Sequence, residues 1–188
     1  MKKKLPTIIL VLIFLTGLCL LLYPSISNYW NSFHQSKEIT KYDDTVSSLK
    51  DEEYARILNE AHQYNERLYK KDNRFELSKS EKEDYQKTLN LGGYGIMGYL
   101  EIPVIKCTLP IYHSTDENVL QIAVGHIEGT SLPVGGINTH SVLSGHRGLV
   151  SAKLLSDLDK VSEGDIFMLH VMNETLTYQV DQIRIVEP

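Results

Sequence analysis

One histidine in this sequence stands where acid–base chemistry is easily mounted. In Asn138-Thr139-His140-Ser141-Val142-Leu143-Ser144-Gly145-His146-Arg147-Gly148 a short apolar run ends at His146, with glycines on both sides. The pattern predicts a strand from Ser141 to His146 that stops at a turn. An imidazole there is held by the strand yet open to substrate, and its pKa near neutrality lets it give or take a proton. Such a group needs a chemical partner. The two cysteines, Cys19 and Cys107, are too few for a disulfide framework, and Cys19 lies inside an apolar run where it cannot easily pair. His113, His126, His140 and His146 match no standard zinc-ligand spacing and no cysteine pair joins them, so neither a metal nor another cofactor is expected. His126 and His140 read instead as hydrogen-bonded structural histidines.

The elements that must hold His146 follow from the rest of the chain. A length of 188 residues allows one domain and an appendage, and a net charge of −5 argues against a nucleic-acid partner. Lys2, Lys3 and Lys4 precede a charge-free stretch from Leu5 to Phe33, whose apolar centre, Ile8 to Tyr23, is interrupted only by Thr16 and Gly17. With its flanks it reaches the roughly 20 residues a bilayer requires. Tyr23, Tyr29 and Trp30 suit the aromatic belt at a membrane interface, and the lysines favour a cytoplasmic N-terminus. The competing reading, a cleaved signal peptide, lacks a small-x-small site after the run. Leu18 before Cys19 is too large for a lipoprotein signal, so Cys19 is membrane filler.

From about Asp44 to Lys71 the pattern is helical: Val46, Leu49, Ile57, Ala61, Tyr64 and Leu68 recur mostly at three- and four-residue steps, with Leu58 alongside. That stripe should pack on the chain's own domain; the alternative is a coiled coil with a partner. Lys70 to Leu77 reads as a loop. Ser78-Lys79-Ser80-Glu81 fits a capping box that opens a second helix to about Leu89. Asn90 to Gly98, with four glycines, marks a boundary. Short strands are then predicted at Tyr99–Pro103, Val104–Tyr112, Ser141–His146, Ile166–Met172 and Thr175–Val180, with one more beginning at Gln182–Val186. A helix or turn is expected near Asn118–Val124, a helical turn at Lys153–Leu158 and a hairpin turn at Asn173-Glu174. Short strands at this spacing suggest a barrel or sandwich.

The blocks Met97-Gly98-Tyr99-Leu100-Glu101-Ile102-Pro103, Leu109-Pro110-Ile111-Tyr112-His113, Gly125-His126-Ile127-Glu128-Gly129-Thr130-Ser131-Leu132-Pro133-Val134-Gly135-Gly136, Asn138 to Gly148 and Val180 to Pro188 closely resemble the catalytic domain of sortases, specifically the class C, pilin-polymerising sortases of Gram-positive bacteria. The likeness covers about half the chain, and the anchor and helical arm resemble that class too. The resemblance implies a mainly β fold: a sortase-type closed β-barrel, incomplete here with its last strands missing, preceded by a transmembrane helix and an α-helical N-terminal arm. The expected divisions are 1–30 for the cytoplasmic lysines and signal-anchor, 31–97 for the arm with a possible lid loop, and 98–188 for the partial barrel.

In the resembled family a cysteine thiolate attacks the Thr–Gly bond of an LPXTG-like sorting signal, and an amine, a pilin lysine in class C, resolves the thioacyl-enzyme. A histidine protonates the leaving amine and an arginine stabilises the oxyanion. His146 matches that histidine. The family's cysteine lies in a Thr-Leu-x-Thr-Cys strand after the Val-Glu-Pro segment, with the arginine on the next strand, so both are expected beyond Pro188 and this chain alone is expected to be inactive and marginally folded. Cys107 does not match the nucleophile and reads as a small buried filler. Arg147 does not match the catalytic arginine and suits a turn-positioning or surface ion-pair role. The family's Asp-Pro-aromatic lid has a counterpart only in Asp72-Asn73-Arg74-Phe75, which lacks the proline; a Phe75 plug and a solvent-exposed linker both fit. The implied partners are pilin or surface proteins bearing LPXTG-like signals, and the membrane. The alternative is a non-catalytic, membrane-tethered remnant or interaction module at the cell surface.

Overall fold

A computed structural model of the chain describes residues 4–186. The apolar run and the residues beyond it form one helix, α1 (Leu5–Ser47), which carries Pro6 in its first turn, where a missing N–H costs nothing, and Pro24 in its interior. It crosses the end of the apolar span without interruption. The single helix expected from Asp44 to Lys71 is in fact two. Near the end of α1 the Ser47 and Ser48 hydroxyls bond back to the carbonyls of Asp43 and Thr45. Lys50 turns extended, and α2 (Asp51–Tyr69) starts with Asp51, Glu52 and Glu53 at the positive end of its dipole.

The predicted apolar stripe packs on its own domain: Ile57, Ala61, Tyr64 and Leu68 are buried in the main core, while Val46 and Tyr42 of α1 join Ile96 in a second cluster. The capping box is present. Ser78 Oγ accepts from the Glu81 amide and Glu81 Oε2 accepts from the Ser78 amide, opening α3 (Lys79–Lys87). Lys71 Nζ also reaches Glu81 Oε1 at 2.7 Å. Hydrogen bonds from Lys71 and Ser78 hold the Glu81 carboxyl at about 2. This helix stops two residues before the expected Leu89, where Thr88 turns extended and Leu89 takes a left-handed backbone.

Six strands form one curled, open sheet: β1 (Ile96–Ile102), β2 (Cys107–His113), β3 (Val124–His126), β4 (Leu143–Ser144), β5 (Ile166–Val171) and β6 (Glu174–Gln179), in the order β4-β3-β2-β1-β5-β6. Only β2 and β3 run parallel, joined through the single helical turn α4 (Glu117–Leu120). Pro103–Ile105 is a 3-10 turn, so β2 starts three residues later than expected. Pro110 pairs with Tyr99 of β1, and pairing with β3 begins only at Ile111, so its missing N–H breaks no rung there. Gly98 is a glycine because a Cβ would collide with the His170 carbonyl oxygen and the Val171 side chain on β5.

Two expected strands are reduced or absent. Of Ser141–His146 only Leu143 and Ser144 are strand. Instead the Val142 amide bonds to Thr130 Oγ1 and the His140 amide to Ser131 Oγ, so side chains of the preceding loop take the donors a ladder would use. Gln182–Val186 is irregular, because the β5–β6 ladder closes at Gly164, Asp165 and Val180 and no neighbour continues it. The fold is therefore a mainly β half-barrel with a long apolar N-terminal helix.

Two buried side-chain clamps bind helices to this sheet. Tyr42 Oη of α1 donates to the Met97 carbonyl (2.9 Å) and accepts from the Met172 amide (2.7 Å), joining α1 to β1 and to the β5–β6 turn; burial pushes its phenol pKa up. Tyr85 Oη of α3 meets His126 Nδ1 (3.0 Å) and accepts from the Ser114 amide. His126 Nε2 lies 2.8 Å from the Ser131 carbonyl, to which it donates when the imidazole is neutral and Tyr85 donates to Nδ1. Burial drives the His126 pKa down to about 4. Burial also lowers His113, against the opposing pull of the Gly95 and Thr88 carbonyls that face its two ring nitrogens.

Tyr42→Phe should lower stability by about 1–3 kcal/mol, because it leaves the buried Met172 amide unpaired. The urea midpoint of the full chain in detergent reports this, and Tyr54→Phe, whose hydroxyl makes only a 3.5 Å contact to Glu174, should change it little. The pH dependence follows from His126. Between the ordinary histidine value near 6.5 and about 4, the unfolded chain binds a proton that the folded imidazole refuses. The His126 contribution should therefore fall by roughly 3 kcal/mol as pH drops through that window, and below it the loss continues as the hydrogen-bonded Glu81 carboxylate is protonated. A midpoint that stays flat from pH 7 to pH 4 would show that His126 is not held neutral.

Candidate active site

His146 leaves the end of β4 through Gly145, which is small because a Cβ would press on Leu155 (2.8 Å to Cδ1). The turn beyond it is braced from the 155–159 segment. The Leu155 amide donates to the His146 carbonyl, and the Gly148 amide donates to Ser156 Oγ at 3.0 Å, with Gly148 at φ +80°. Arg147 Nε lies 3.4 Å from the Ser156 carbonyl and its Nη2 is 3.2 Å from Asp159, so Arg147 fastens the turn and forms a surface ion pair.

The His146 side chain is about one-third exposed, yet its Nε2 is enclosed and, among the described residues, makes no hydrogen bond. The nearest charge is Glu117 Oε1, 3.9 Å away at the start of α4, beyond hydrogen-bond length. An enclosed imidazole nitrogen without a partner is uncommon and leaves a donor or acceptor position free for an incoming group. Nothing in the sequence around Glu117 marks it as a partner of His146. Its approach to His146 spans 29 positions and carries no local spacing signal. When His146 is protonated, Glu117 provides a countercharge, weakened by its own 70% exposure.

Before β4 the same segment borders a cavity of about 770 Å³ inside the curl of the sheet. Leu132, His140, Ser141 and Leu143 line one side, Phe167 and Tyr178 of β5 and β6 another, and Arg184 reaches it from the tail. The volume is that of a small-ligand or peptide cleft. Ser141 Oγ is a second enclosed polar atom without a partner on this segment. His140 departs from expectation: among the described residues its side chain makes no hydrogen bond, and this exposed residue borders the cavity. His126 is the hydrogen-bonded structural histidine it was expected to be. His146 itself is not among the cavity-lining residues; it stands three positions beyond Leu143.

The other sequence candidates separate from His146 chemically. Cys107 starts β2 and is buried, with Sγ 3.7 Å from the Leu154 carbonyl. Burial pushes its thiol up to about 11, so it is protonated at neutral pH and lacks the thiolate needed for attack. Cys19 lies in the apolar part of α1. Among the described residues no group of three or more His, Cys, Asp or Glu side chains is arranged to hold a metal. Phe75 is 70% exposed and does not reach the cavity. Its loop rests instead on Gly129, where φ is +89° and a Cβ would lie 2.7 Å from the Arg74 carbonyl oxygen and 2.8 Å from the Phe75 ring.

Comparison with known proteins accounts for this arrangement. Residues 100–188 match the Sortase domain family model. No curated protein matches the chain. Among solved structures, sortase C1 from Streptococcus agalactiae is 46% identical, with a TM-score of 0.76 over 81% of this chain and 79% of that one. Streptococcus pneumoniae sortase C is 41% identical, with a TM-score of 0.67 over 78% and 74% of the two chains. Clostridium perfringens sortase C, solved with the C-terminal cell wall sorting motif, is 39% identical, with a TM-score of 0.68 over 81% and 78%. With a family model over the half-barrel and close likeness to three class C enzymes across the helical arm as well, this chain belongs to the sortase family, among its class C members.

Proposed function

We propose that this protein serves pilus assembly as a cysteine transpeptidase that cleaves LPXTG-like sorting signals and joins pilin subunits through a lysine. The observation that carries the reading is His146: an enclosed, unpartnered Nε2 at the exit of β4, in the segment that resembles the family's catalytic histidine. There it protonates the leaving amine when the acyl group passes to a cysteine, and takes a proton from the incoming lysine amine when the thioacyl bond is resolved. The cavity beside it has the volume for an extended peptide. The relative solved with a cell wall sorting motif supports that substrate class.

The same chemistry limits the chain as it stands. Of its two cysteines, one lies in the apolar helix and the other is a buried thiol held protonated. We therefore expect these 188 residues alone to be inactive. That observation also favours a second reading, a membrane-tethered interaction module that binds sorting signals without turning them over. The apolar helix fits a single-pass anchor with a cytoplasmic N-terminus and the half-barrel outside, and the three lysines at positions 2–4 support that orientation. The divisions 1–30, 31–97 and 98–188 remain our reading of anchor, arm and catalytic unit.

The full chain in detergent should cleave an LPXTG peptide no faster than its His146→Ala variant, as followed by mass spectrometry. Fusing the C-terminal strands of Streptococcus agalactiae sortase C1 after residue 188 should produce cleavage, and His146→Gln in that fusion should reduce it about 10²–10⁴-fold. Full activity of the His146→Gln fusion would remove the proposed role. Orientation is read separately. Protease added to intact Gram-positive cells expressing the chain should degrade the half-barrel, and a fully protected half-barrel would reverse the assigned topology.

A further inference from the structure

The loop that follows His146 is fastened to α1 at a defined height. Ser27 Oγ and Asn31 Nδ2 both donate to the Ser151 carbonyl at 2.8 Å, and the Lys153 amide donates to Asn28 Oδ1 at 2.8 Å. Above these, Gln35 Nε2 donates to the Ile122 carbonyl at 2.7 Å. The charge-free part of the helix starts at Leu5. At about 1.5 Å per residue, a hydrocarbon core of about 30 Å beginning there is crossed in about 20 residues, near position 25. The headgroup layer, about 5–7 Å on each side, then takes up the next four or five residues. Ser27, Asn28 and Asn31 fall within or at the rim of that layer, and so does the loop bonded to them. The outer face of the same helical turns agrees, since Ile26, Tyr29, Trp30 and Phe33 are all exposed there, as an interfacial aromatic belt requires.

The loop has the composition for that setting. Val150 is 65% exposed. Arg147 and Lys153 are more than half exposed, and Lys160 stands nearby. Asp157 faces Lys153 and Lys160, and Asp159 faces Arg147, so three cations stand against two carboxylates, a surplus of one positive charge.

We propose that Arg147–Lys153, the loop leaving His146, lies in the lipid headgroup layer, with Val150 entering the acyl boundary and Arg147 and Lys153 set among the phosphates. This rests on the reading of α1 as a membrane anchor. It makes the bilayer surface one wall of the approach to His146.

Trp30 is the single tryptophan of the chain. The full chain is placed in vesicles of phosphatidylcholine and phosphatidylglycerol at three to one, with bromine on the upper acyl carbons as a contact quencher. Trp30 reports on the anchor. In a Trp30→Phe background, Val150→Trp reports on the loop. Glu174→Trp serves as the remote control, because it lies two residues after Met172, whose amide bonds Tyr42, about 18 Å further along the helix than Trp30. The fluorescence of the Val150→Trp variant should fall at least twofold relative to unbrominated vesicles, while that of Glu174→Trp stays unchanged. A quenched Trp30 with an unquenched Val150→Trp overturns the loop contact alone. An unquenched Trp30 removes the anchor and the proposal with it.

Discussion

A fully buried imidazole has to find its hydrogen bonds inside the protein, and much of this fold is arranged around His126 doing so. One ring nitrogen meets Tyr85 of α3, and the other meets the Ser131 carbonyl, with Thr130 Oγ1 at 3.2 Å. Thr130 and Ser131 in turn receive the amides of Val142 and His140, the residues that lead into β4. The position of His146 is thus inherited through a chain of neutral hydrogen bonds that begins on a helix outside the sheet. In a low-dielectric interior each such bond is strong when made and costly when lost, so the network tolerates little displacement. Asn65 of α2 adds a second brace by pairing its amide with both backbone groups of Leu132, as a neighbouring strand would.

The contrast between His126 and His146 separates structure from chemistry. Both are histidines next to glycine at strand ends. His126 has both ring nitrogens committed and burial holds it neutral. His146 keeps its ring partly in solvent, with Nε2 enclosed and unclaimed and a carboxylate just outside contact range. Cys107 shows the same logic for sulfur, since burial without a nearby base or cation in contact leaves a thiol that packs but does not react.

What was legible in the sequence was mostly what is local. The Ser78–Glu81 capping box and the stripe Ile57, Ala61, Tyr64, Leu68 are each set by residues a few positions apart and formed as expected; the hairpin formed one residue earlier than expected, with Met172 and Asn173 in the turn and Glu174 already paired with Val171. The break between α1 and α2 was missed because the apolar spacing continues through Leu49 while the backbone turns extended at Lys50. The shrinkage of the Ser141–His146 strand was also hidden, because the donors are taken by Thr130 and Ser131, hydroxyls that propensity does not weigh. The sheet order, with β5 inserted next to β1, and the approach of Glu117 to His146 depend on separations too long for any spacing rule. The glycine-flanked exit of an apolar run pointed to His146 among seven histidines, and family likeness then supplied its role.

The helix α1 has one more consequence. Its 43 residues, with Pro24 in the interior, extend about 65 Å as one helix, and Tyr42, Asn31 and Ser27 fasten the half-barrel along it. A domain on a loose tether samples many heights and orientations; one bonded along a continuous helix samples fewer. With α1 in a bilayer, as proposed above, encounters with molecules sharing that bilayer would become a two-dimensional search in which the half-barrel keeps its attachment along the helix. In such an anchored arrangement, part of the entropy that an untethered molecule loses on orienting a partner would already be lost when the helix folds.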